Sequence, residues 1–205
     1  MERTADFPLT TNGTNPAPDL DTLNKIQRRI LWLATNMIHH ANNVRPNPDK
    51  SKVGGHQASS ASMVTILTAL YFHYLNEGDL VSIKPHASPV FHSIQYLLGQ
   101  LPEAYMSQLR AFGGLQAYPS RTKDHDKVDF STGSVGLGAV APIFASLIGK
   151  YIKDHFGKRQ QRRFIAVIGD AELDEGNIWE AILDDVTNNL SNVLLIVDLN
   201  RQSLD

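Results

Sequence analysis

The most informative stretch of the chain is Arg163–Asp205, which reads RFIAVIGDAELDEGNIWEAILDDVTNNLSNVLLIVDLNRQSLD. It contains two short apolar runs, Phe164–Ile168 and Val193–Val197, which are rich in β-branched residues and end in polar turn formers. Such runs are typical of buried strands in a parallel sheet. The segment between them predicts a helix. The whole stretch therefore predicts a βαβ unit, whose crossover is right-handed.

Polar side chains follow both predicted strands. Asp170 lies just past the first strand, and Asn200 lies just past the second, thirty residues later. Neighbouring strands are about 5 Å apart, so if these two strands pair, a carboxylate and an amide oxygen face the same crevice. Ligands of open α/β sheets bind at that edge. Two hard oxygen donors there suit Mg²⁺, which combines a few protein ligands with phosphate oxygens and water. The pattern therefore predicts a metal-bridged diphosphate. The structural alternative is that Asp170 caps a helix and Asn200 makes a turn.

Composition excludes several classes of function. The 205 residues suffice for one domain with a core, and the formal net charge of −2 gives no sign of nucleic-acid binding. No cysteine is present, which excludes disulfides, thiolate catalysis and cysteine-based zinc sites. The first twenty residues lack the apolar core of a signal peptide. The most apolar stretch, Met63–Leu75, is too short to span a bilayer. We therefore expect a cytoplasmic protein that binds neither nucleic acid nor membrane.

The rest of the chain predicts helices that alternate with short strands. Residues 1–19 are expected to form a mobile arm, and residues 20–205 one domain. This alternation predicts an α/β fold with a mainly parallel sheet flanked by helices. The local expectations are a helix from a cap at Asp21 to Ala41, a helix over Ser59–Leu75, a strand at Val81–Ile83, a helix capped by Ser88 and stopped by Gly99, a helix over Pro102–Phe112, a long loop over Gly113–Phe130, a Gly-rich turn at Ser131–Gly138 opening a helix to His155, and core positions for Trp32 and Trp179.

The polar turns carry a family resemblance. Gly169-Asp170-Ala171-Glu172, with Asn200 and the ending Arg201–Asp205, resembles the cofactor signature of the thiamine diphosphate-dependent transketolase superfamily. The ending is most similar to that of the homodimeric-type pyruvate dehydrogenase decarboxylating component. The resemblance covers Gly54–Asp205 and implies the diphosphate-binding, N-terminal domain of the thiamine diphosphate-binding fold.

The resemblance implies a set of ligands for thiamine diphosphate and Mg²⁺. The metal ligands would be Asp170, Asn200 and the backbone carbonyl of Gln202. Ala171 departs from the glycine that most members have, and this has a cost if the backbone needs a positive φ there. Glu172 either faces the cofactor or, with its acidic neighbours, complements a helix dipole. The implied cofactor contacts are Ser59, Val135, Gly169, Asp170, Ala171, Glu172, Asn200 and Leu204.

Two histidines belong to segments that resemble active-site loops of the same family. Gly54-Gly55-His56 resembles the first histidine loop, and His86 lies in a segment similar to Gly-His-x-Ser-Pro, with Lys84-Pro85 where the family has Gln-Gly. Because imidazole titrates near neutral pH, His56 and His86 are the candidates for catalytic proton transfer. In the turn Ser134–Gly138, Val135 would support the bent cofactor, or the small residues simply permit tight helix packing.

The implied reaction is decarboxylation of a 2-oxo acid, pyruvate first, with acyl transfer to the lipoyl group of an acyltransferase partner. The first alternative is a transketolase-type transfer of a two-carbon ketol unit, in which Arg121, Lys123 and Lys127 would recognise sugar phosphates. The second is a binding module without catalysis.

The same resemblance implies that a second, pyrimidine-binding domain supplies a glutamate across a dimer interface. These 205 residues are not expected to include such a domain. We therefore expect an incomplete diphosphate-binding domain, either a fragment or a split subunit, that works as a homodimer or heteromer. Alone, it is expected not to turn over 2-oxo acids.

Overall fold

Three parallel strands form the sheet, in the order β1-β2-β3, in the computed structural model, which describes residues 17–48, 51–157 and 162–201. They are β1 (Leu80–Ser82), β2 (Phe164–Gly169) and β3 (Val193–Asp198). The register of β2 and β3 pairs Phe164 with Val193 and ends with Gly169 opposite Asp198. The helices are α1 (Leu20–His39), α2 (Gln57–Ala61), α3 (Val64–Ala69), α4 (Ser88–Leu97), α5 (Leu137–Phe156) and α6 (Gly176–Leu183). The predicted βαβ unit and the parallel α/β fold are confirmed.

Helices cover both faces of the sheet because successive side chains of the central strand point in opposite directions. Ile165 and Val167 of β2 belong to the core that α1, α3 and α4 share with Val81 of β1. Ala166 and Ile168 instead pack with Ala139 of α5 and Ile178 of α6. All six residues of β2 are buried. This layering leaves the carboxyl ends of the strands as the place where polar side chains gather.

Two predicted helices have different limits. Helix α1 begins at Leu20, and Asp19 rather than Asp21 is its cap, since the Asp19 carboxylate accepts hydrogen bonds from the Asp21 and Thr22 N–H groups. Its last turn passes into a π-helical segment, His40–Val44, so the regular helix ends before Ala41. The helix expected over Ser59–Leu75 is divided into α2, α3 and a π-helical turn.

Three further predictions are wrong. Only a short 3₁₀ segment, Glu103–Ser107, forms in the expected helix over Pro102–Phe112, because the chain then turns back and the Arg110 N–H donates to the Leu115 carbonyl at 2.7 Å. Ser88 does not cap α4; its hydroxyl donates to the Ala117 carbonyl at 3.2 Å. Trp32 and Trp179 are not core residues, since they are 56% and 47% exposed.

Other expectations hold. Residues 113–130 contain no helix or strand, and Gly99 follows α4 in a left-handed conformation with φ +72°.

The arm predicted over residues 1–19 lies almost entirely outside the described residues. Within the described ranges, no helix is long and apolar enough to cross a membrane.

Candidate active site at the carboxyl edge of the sheet

The first predicted ligand, Asp170, opens a 3₁₀ turn directly after β2. One oxygen of its carboxylate accepts the Ala171 N–H at 3.1 Å, and the other accepts the Arg201 N–H at 2.9 Å. Arg201 adopts φ +54°, a left-handed conformation that is uncommon for a residue other than glycine. Asn200, the second predicted ligand, is therefore adjacent to the residue that binds Asp170. The structure brings the two strand ends together as the sequence predicts.

The donor chemistry of this edge fits a divalent cation shared with phosphate. Each oxygen of Asp170 accepts one backbone hydrogen bond and has a further lone pair. The Asn200 amide nitrogen donates to the Asp198 carboxylate at 3.3 Å, which places the Asn200 side chain at the same edge. Within the described residues, no group of three or more histidine or acidic side chains is placed to hold a metal. A metal here would rely on phosphate oxygens and backbone carbonyls, as Mg²⁺ does. Gln202 and Leu204 lie outside the described residues.

Ala171 carries no conformational penalty. Among the described residues, the non-glycine positions with positive φ are Arg110 and Arg201, and Ala171 is not one of them. It lies exposed within the 3₁₀ turn Asp170–Asp174. The alanine that replaces the usual glycine therefore leaves the turn unstrained.

Glu172 ties the Asp170 turn to the Gly-rich turn. Its carboxylate is buried and accepts the Gly169 N–H at 2.9 Å and the Gly136 N–H at 3.3 Å. Burial raises the pKa of Glu172 above its ordinary value of 4.5, although the two N–H groups and the Lys84 ammonium act in the opposite direction. Glu172 thus fixes the relative position of two loops at the sheet edge.

The raised pKa of Glu172 predicts a pH-dependent stability. A carboxyl group whose pKa is higher in the folded state favours folding when protonated, and this contribution is lost as the pH rises through the folded pKa. We expect the stability difference between the parent chain and Glu172→Gln to shift against the parent as the pH rises above 4.5. Urea unfolding at a series of pH values from 4.5 upward measures this stability difference. Glu180→Gln, on the exposed face of α6, is the control. A stability difference that does not change with pH, or that moves in favour of the parent chain as the pH rises, would contradict the prediction.

The Gly-rich turn is packed tightly against the sheet. Gly136 has φ +80°, and a Cβ added at Gly138 would lie 3.1 Å from the Ser82 hydroxyl oxygen. The small residues therefore serve close packing, which was one of the two predicted readings. Val135 is exposed on this turn, which Glu172 holds beside the Asp170 segment.

The two candidate histidines lie near each other, beside an arginine and a tyrosine. Half-buried His86 meets the Tyr118 ring edge-on, with ring centroids 5.6 Å apart. The Arg110 guanidinium lies 5.8 Å from the Tyr118 ring and donates to the Val53 carbonyl at 2.9 Å, just before the His56 loop. Burial lowers the pKa of His86, and the charges of Lys84, Arg110 and His56 lower it further. His56 is exposed at the start of α2, and the half-buried Ser59 lies one turn later.

Five side chains around the site were missed from the sequence, namely those of Ser62, Lys84, Arg110, Tyr118 and Asp198. The Asp198 carboxylate accepts hydrogen bonds from the Lys84 ammonium at 2.7 Å and the Ser62 hydroxyl at 2.6 Å. Lys84 and Asp198 follow or end buried strands, so the strand-end rule that selected Asp170 and Asn200 also selects them. Arg110 and Tyr118 gave no such signal, because neither follows a predicted strand: Arg110 lies in a segment predicted to be helical and Tyr118 in a predicted loop.

The fold agrees with comparisons to known proteins. The profile of the 1-deoxy-D-xylulose-5-phosphate synthase family matches residues 33–205. The chain belongs to the thiamine diphosphate-dependent transketolase superfamily. The match covers the diphosphate-binding domain of that superfamily, as the resemblance implied.

Relatives of the superfamily differ in activity. The pyruvate dehydrogenase E1 component of Cupriavidus necator is 30% identical over 197 residues, covering 91% of this chain and 21% of the relative. That of Escherichia coli is 28% identical, covering 91% of this chain and 22% of the relative. The transketolase structure from Campylobacter jejuni matches with a TM-score of 0.73 at 23% identity, over 91% of this chain and 29% of that one. The chain thus spans about a fifth of the length of the curated relatives it matches.

Proposed function

We propose that residues 20–205 bind thiamine diphosphate through its diphosphate, together with Mg²⁺ held by Asp170, Asn200 and the Gln202 carbonyl. The main support is the 2.9 Å hydrogen bond from the Arg201 N–H to Asp170, which joins the ends of two neighbouring strands. Ligands of such sheets bind at that edge. The further cofactor contacts proposed are Ser59, Val135, Gly169, Ala171, Glu172 and Leu204.

His56 and His86 are proposed to move protons at the reacting end of the site. The lowered pKa of His86 keeps its imidazole neutral near pH 7, so it is able to accept a proton. The edge contact with Tyr118 orients the His86 ring. Arg110, bonded to the Val53 carbonyl, keeps the His56 loop beside this pair. When bound, the cofactor supplies the electron sink that makes loss of CO₂ from a 2-oxo acid possible.

The proposed overall reaction is decarboxylation of a 2-oxo acid, with pyruvate as the first candidate, and acyl transfer to the lipoyl group of an acyltransferase partner. It is supported by the similarity to pyruvate dehydrogenase E1 components at about 30% identity. The proposal requires a pyrimidine-binding domain, from the same protein or a partner chain, in a homodimer or heteromer.

Two-carbon ketol transfer between sugar phosphates is the second candidate. The observation in its favour is that the 113–130 loop carries three exposed cations, Arg121, Lys123 and Lys127. Cationic side chains of this kind can bind the phosphate group of a sugar substrate. An assay that compares a 2-oxo acid with a ketose phosphate as the donor, on the chain combined with a pyrimidine-binding domain, separates the two reactions.

Titration calorimetry tests the binding proposal directly. We expect the chain to bind thiamine diphosphate when Mg²⁺ is present, and not to bind thiamine, which lacks the diphosphate. Chelation of the metal should weaken binding. Absence of heat with thiamine diphosphate and Mg²⁺ would overturn the proposal and favour a non-catalytic module.

A further prediction concerns turnover. These 205 residues by themselves are expected to bind the cofactor but not to release CO₂ from pyruvate, because the family resemblance assigns cofactor activation to a glutamate of the pyrimidine-binding domain. The measurement is CO₂ release by the purified chain, with the intact Escherichia coli pyruvate dehydrogenase E1 component as the positive control. Release at a rate near that of the intact enzyme would contradict the prediction.

A further inference from the structure

Lys84 spans the carboxyl edge of the sheet. It follows β1, its side chain crosses the end of the central strand, and its ammonium reaches Asp198 at the end of β3. A Cβ added at Gly169 would lie 3.1 Å from Lys84 Cε, so the lysine chain rests directly on the residue before Asp170. Lys84 thereby places a positive charge close to Gly169, the residue that precedes the predicted metal ligand.

The charge is buried, which strengthens its effect. The side chains of Lys84 and Asp198 are 6% and 8% exposed, and their charged atoms are 2.7 Å apart. A charge that is shielded from water acts strongly on a nearby anion. Because the Lys84 ammonium is already held in position, it does not have to move when the anion binds. The charge of Lys84 also acts on the pKa values of Glu172 and His86, which places it among the other side chains of the site.

The ion pair leaves the lysine with capacity to bind a ligand. An ammonium has three N–H donors, and the contact with Asp198 uses one of them. Asp198 does not depend on the lysine alone, because the same oxygen accepts hydrogen bonds from Ser62 at 2.6 Å and Asn200 at 3.3 Å. Stability gives little reason for such a pair, since buried ion pairs are often replaceable by apolar residues without loss.

We propose that Lys84 is a diphosphate ligand, held in place by Asp198, that binds the anion alongside the metal. The inference rests on the proposed function for the identity of the diphosphate. It goes beyond the resemblance, which places a neutral glutamine at this position. The consequence is that the chain retains measurable diphosphate affinity when no divalent metal is present.

The test uses inorganic pyrophosphate as the probe, titrated calorimetrically in the presence of a chelator. The variant Lys84→Gln/Asp198→Asn removes both charges of the pair while keeping hydrogen-bonding side chains of similar size. The matched control is Lys150→Gln/Asp154→Asn, which removes an exposed ion pair of the same signs on α5. Circular dichroism confirms the fold of each variant.

We expect the Lys84→Gln/Asp198→Asn variant to bind pyrophosphate about tenfold to a hundredfold more weakly than the parent chain, and the control to bind as the parent does. Equal affinity in the variant and the parent would overturn the proposal, as would a parent that does not bind pyrophosphate. If the double variant does not fold, Lys84→Gln alone is used with the same expectation, since Asp198 keeps its two other donors.

The two proposals fail separately. Lys84-dependent binding of pyrophosphate, with no binding of thiamine diphosphate and Mg²⁺, would support the role of Lys84 and refute the proposed function. Binding of thiamine diphosphate and Mg²⁺, with pyrophosphate affinity unchanged in the Lys84→Gln/Asp198→Asn variant, would support the proposed function and refute the role of Lys84.

Discussion

Asp170→Ala is expected to weaken Mg²⁺-dependent binding of thiamine diphosphate by at least about a hundredfold. Asp170 is the acidic member of the proposed ligand set, so its loss removes the charge that attracts the metal. The substitution also removes the acceptor of the Arg201 N–H, whose hydrogen bond supports the left-handed conformation of Arg201. Charge and geometry are therefore lost together. Titration calorimetry with Mg²⁺ present measures the effect.

Two companion variants separate these causes. Asp174→Ala removes an exposed carboxylate from the same 3₁₀ turn and is expected to bind the cofactor as the parent chain does. Asp170→Asn keeps an oxygen that accepts the Arg201 N–H but removes the charge, so it should lie between Asp170→Ala and the parent. If Asp170→Ala bound the cofactor as tightly as Asp174→Ala, the assignment of Asp170 as a metal ligand would be wrong.

The central sheet was predictable because strand signals in this chain are strong and local. The runs Phe164–Ile168 and Val193–Val197 are apolar, β-branched and of strand length, and a buried parallel strand is the structure that such runs favour. Once the two strands are neighbours, the positions of Asp170 and Asn200 follow from the common edge of parallel strands. That reasoning needs no knowledge of distant contacts.

The helical errors have a different origin. Trp32 is exposed because the buried positions of α1 recur at Ile30, Leu33, Ala34, Met37 and Ile38, a stripe that passes beside it. Trp179 is exposed while its indole N–H donates to the Leu173 carbonyl at 2.6 Å. Both tryptophans were expected on the apolar faces of their helices, and this was wrong because the phase of the buried stripe in α1 excludes Trp32 and Trp179 is bonded at the exposed surface of α6.

The helix predicted over Pro102–Phe112 failed for a reason that local propensity does not encode. Residues with good helix propensity turn back on themselves, with the Leu115 N–H donating to the Gln108 carbonyl at 3.0 Å and Arg110 at φ +55°. This conformation places the Arg110 guanidinium against the Val53 carbonyl and the Tyr118 ring. Tertiary contacts at the site edge thus override the helical preference of the segment.

Asp198→Asn is expected to destabilise the fold by about 3 kcal/mol, because it leaves the Lys84 ammonium buried without a counter-charge. Lys84→Met should cost less, on the order of 1–2 kcal/mol, since Asp198 still accepts hydrogen bonds from Ser62 and Asn200. The combined Lys84→Met/Asp198→Asn variant should be more stable than the sum of the two losses predicts. Urea unfolding of all four chains measures the free energies and completes the cycle.

The informative quantity is the difference between the stability lost in Asp198→Asn and that lost in Lys84→Met. A pair that served only to satisfy hydrogen bonds would lose similar stability from either side, whereas a buried ammonium held by one carboxylate is far more sensitive to loss of the carboxylate. Lys150→Met, which breaks the exposed pair on α5, controls for loss of a lysine and is expected to leave the unfolding midpoint unchanged. A different role for Lys84 would follow if Lys84→Met lowered the free energy of unfolding more than Asp198→Asn does. The Lys84 side chain would then act mainly by packing over Gly169, and not by presenting its charge to an anion. Its long side chain would then matter more than its ammonium.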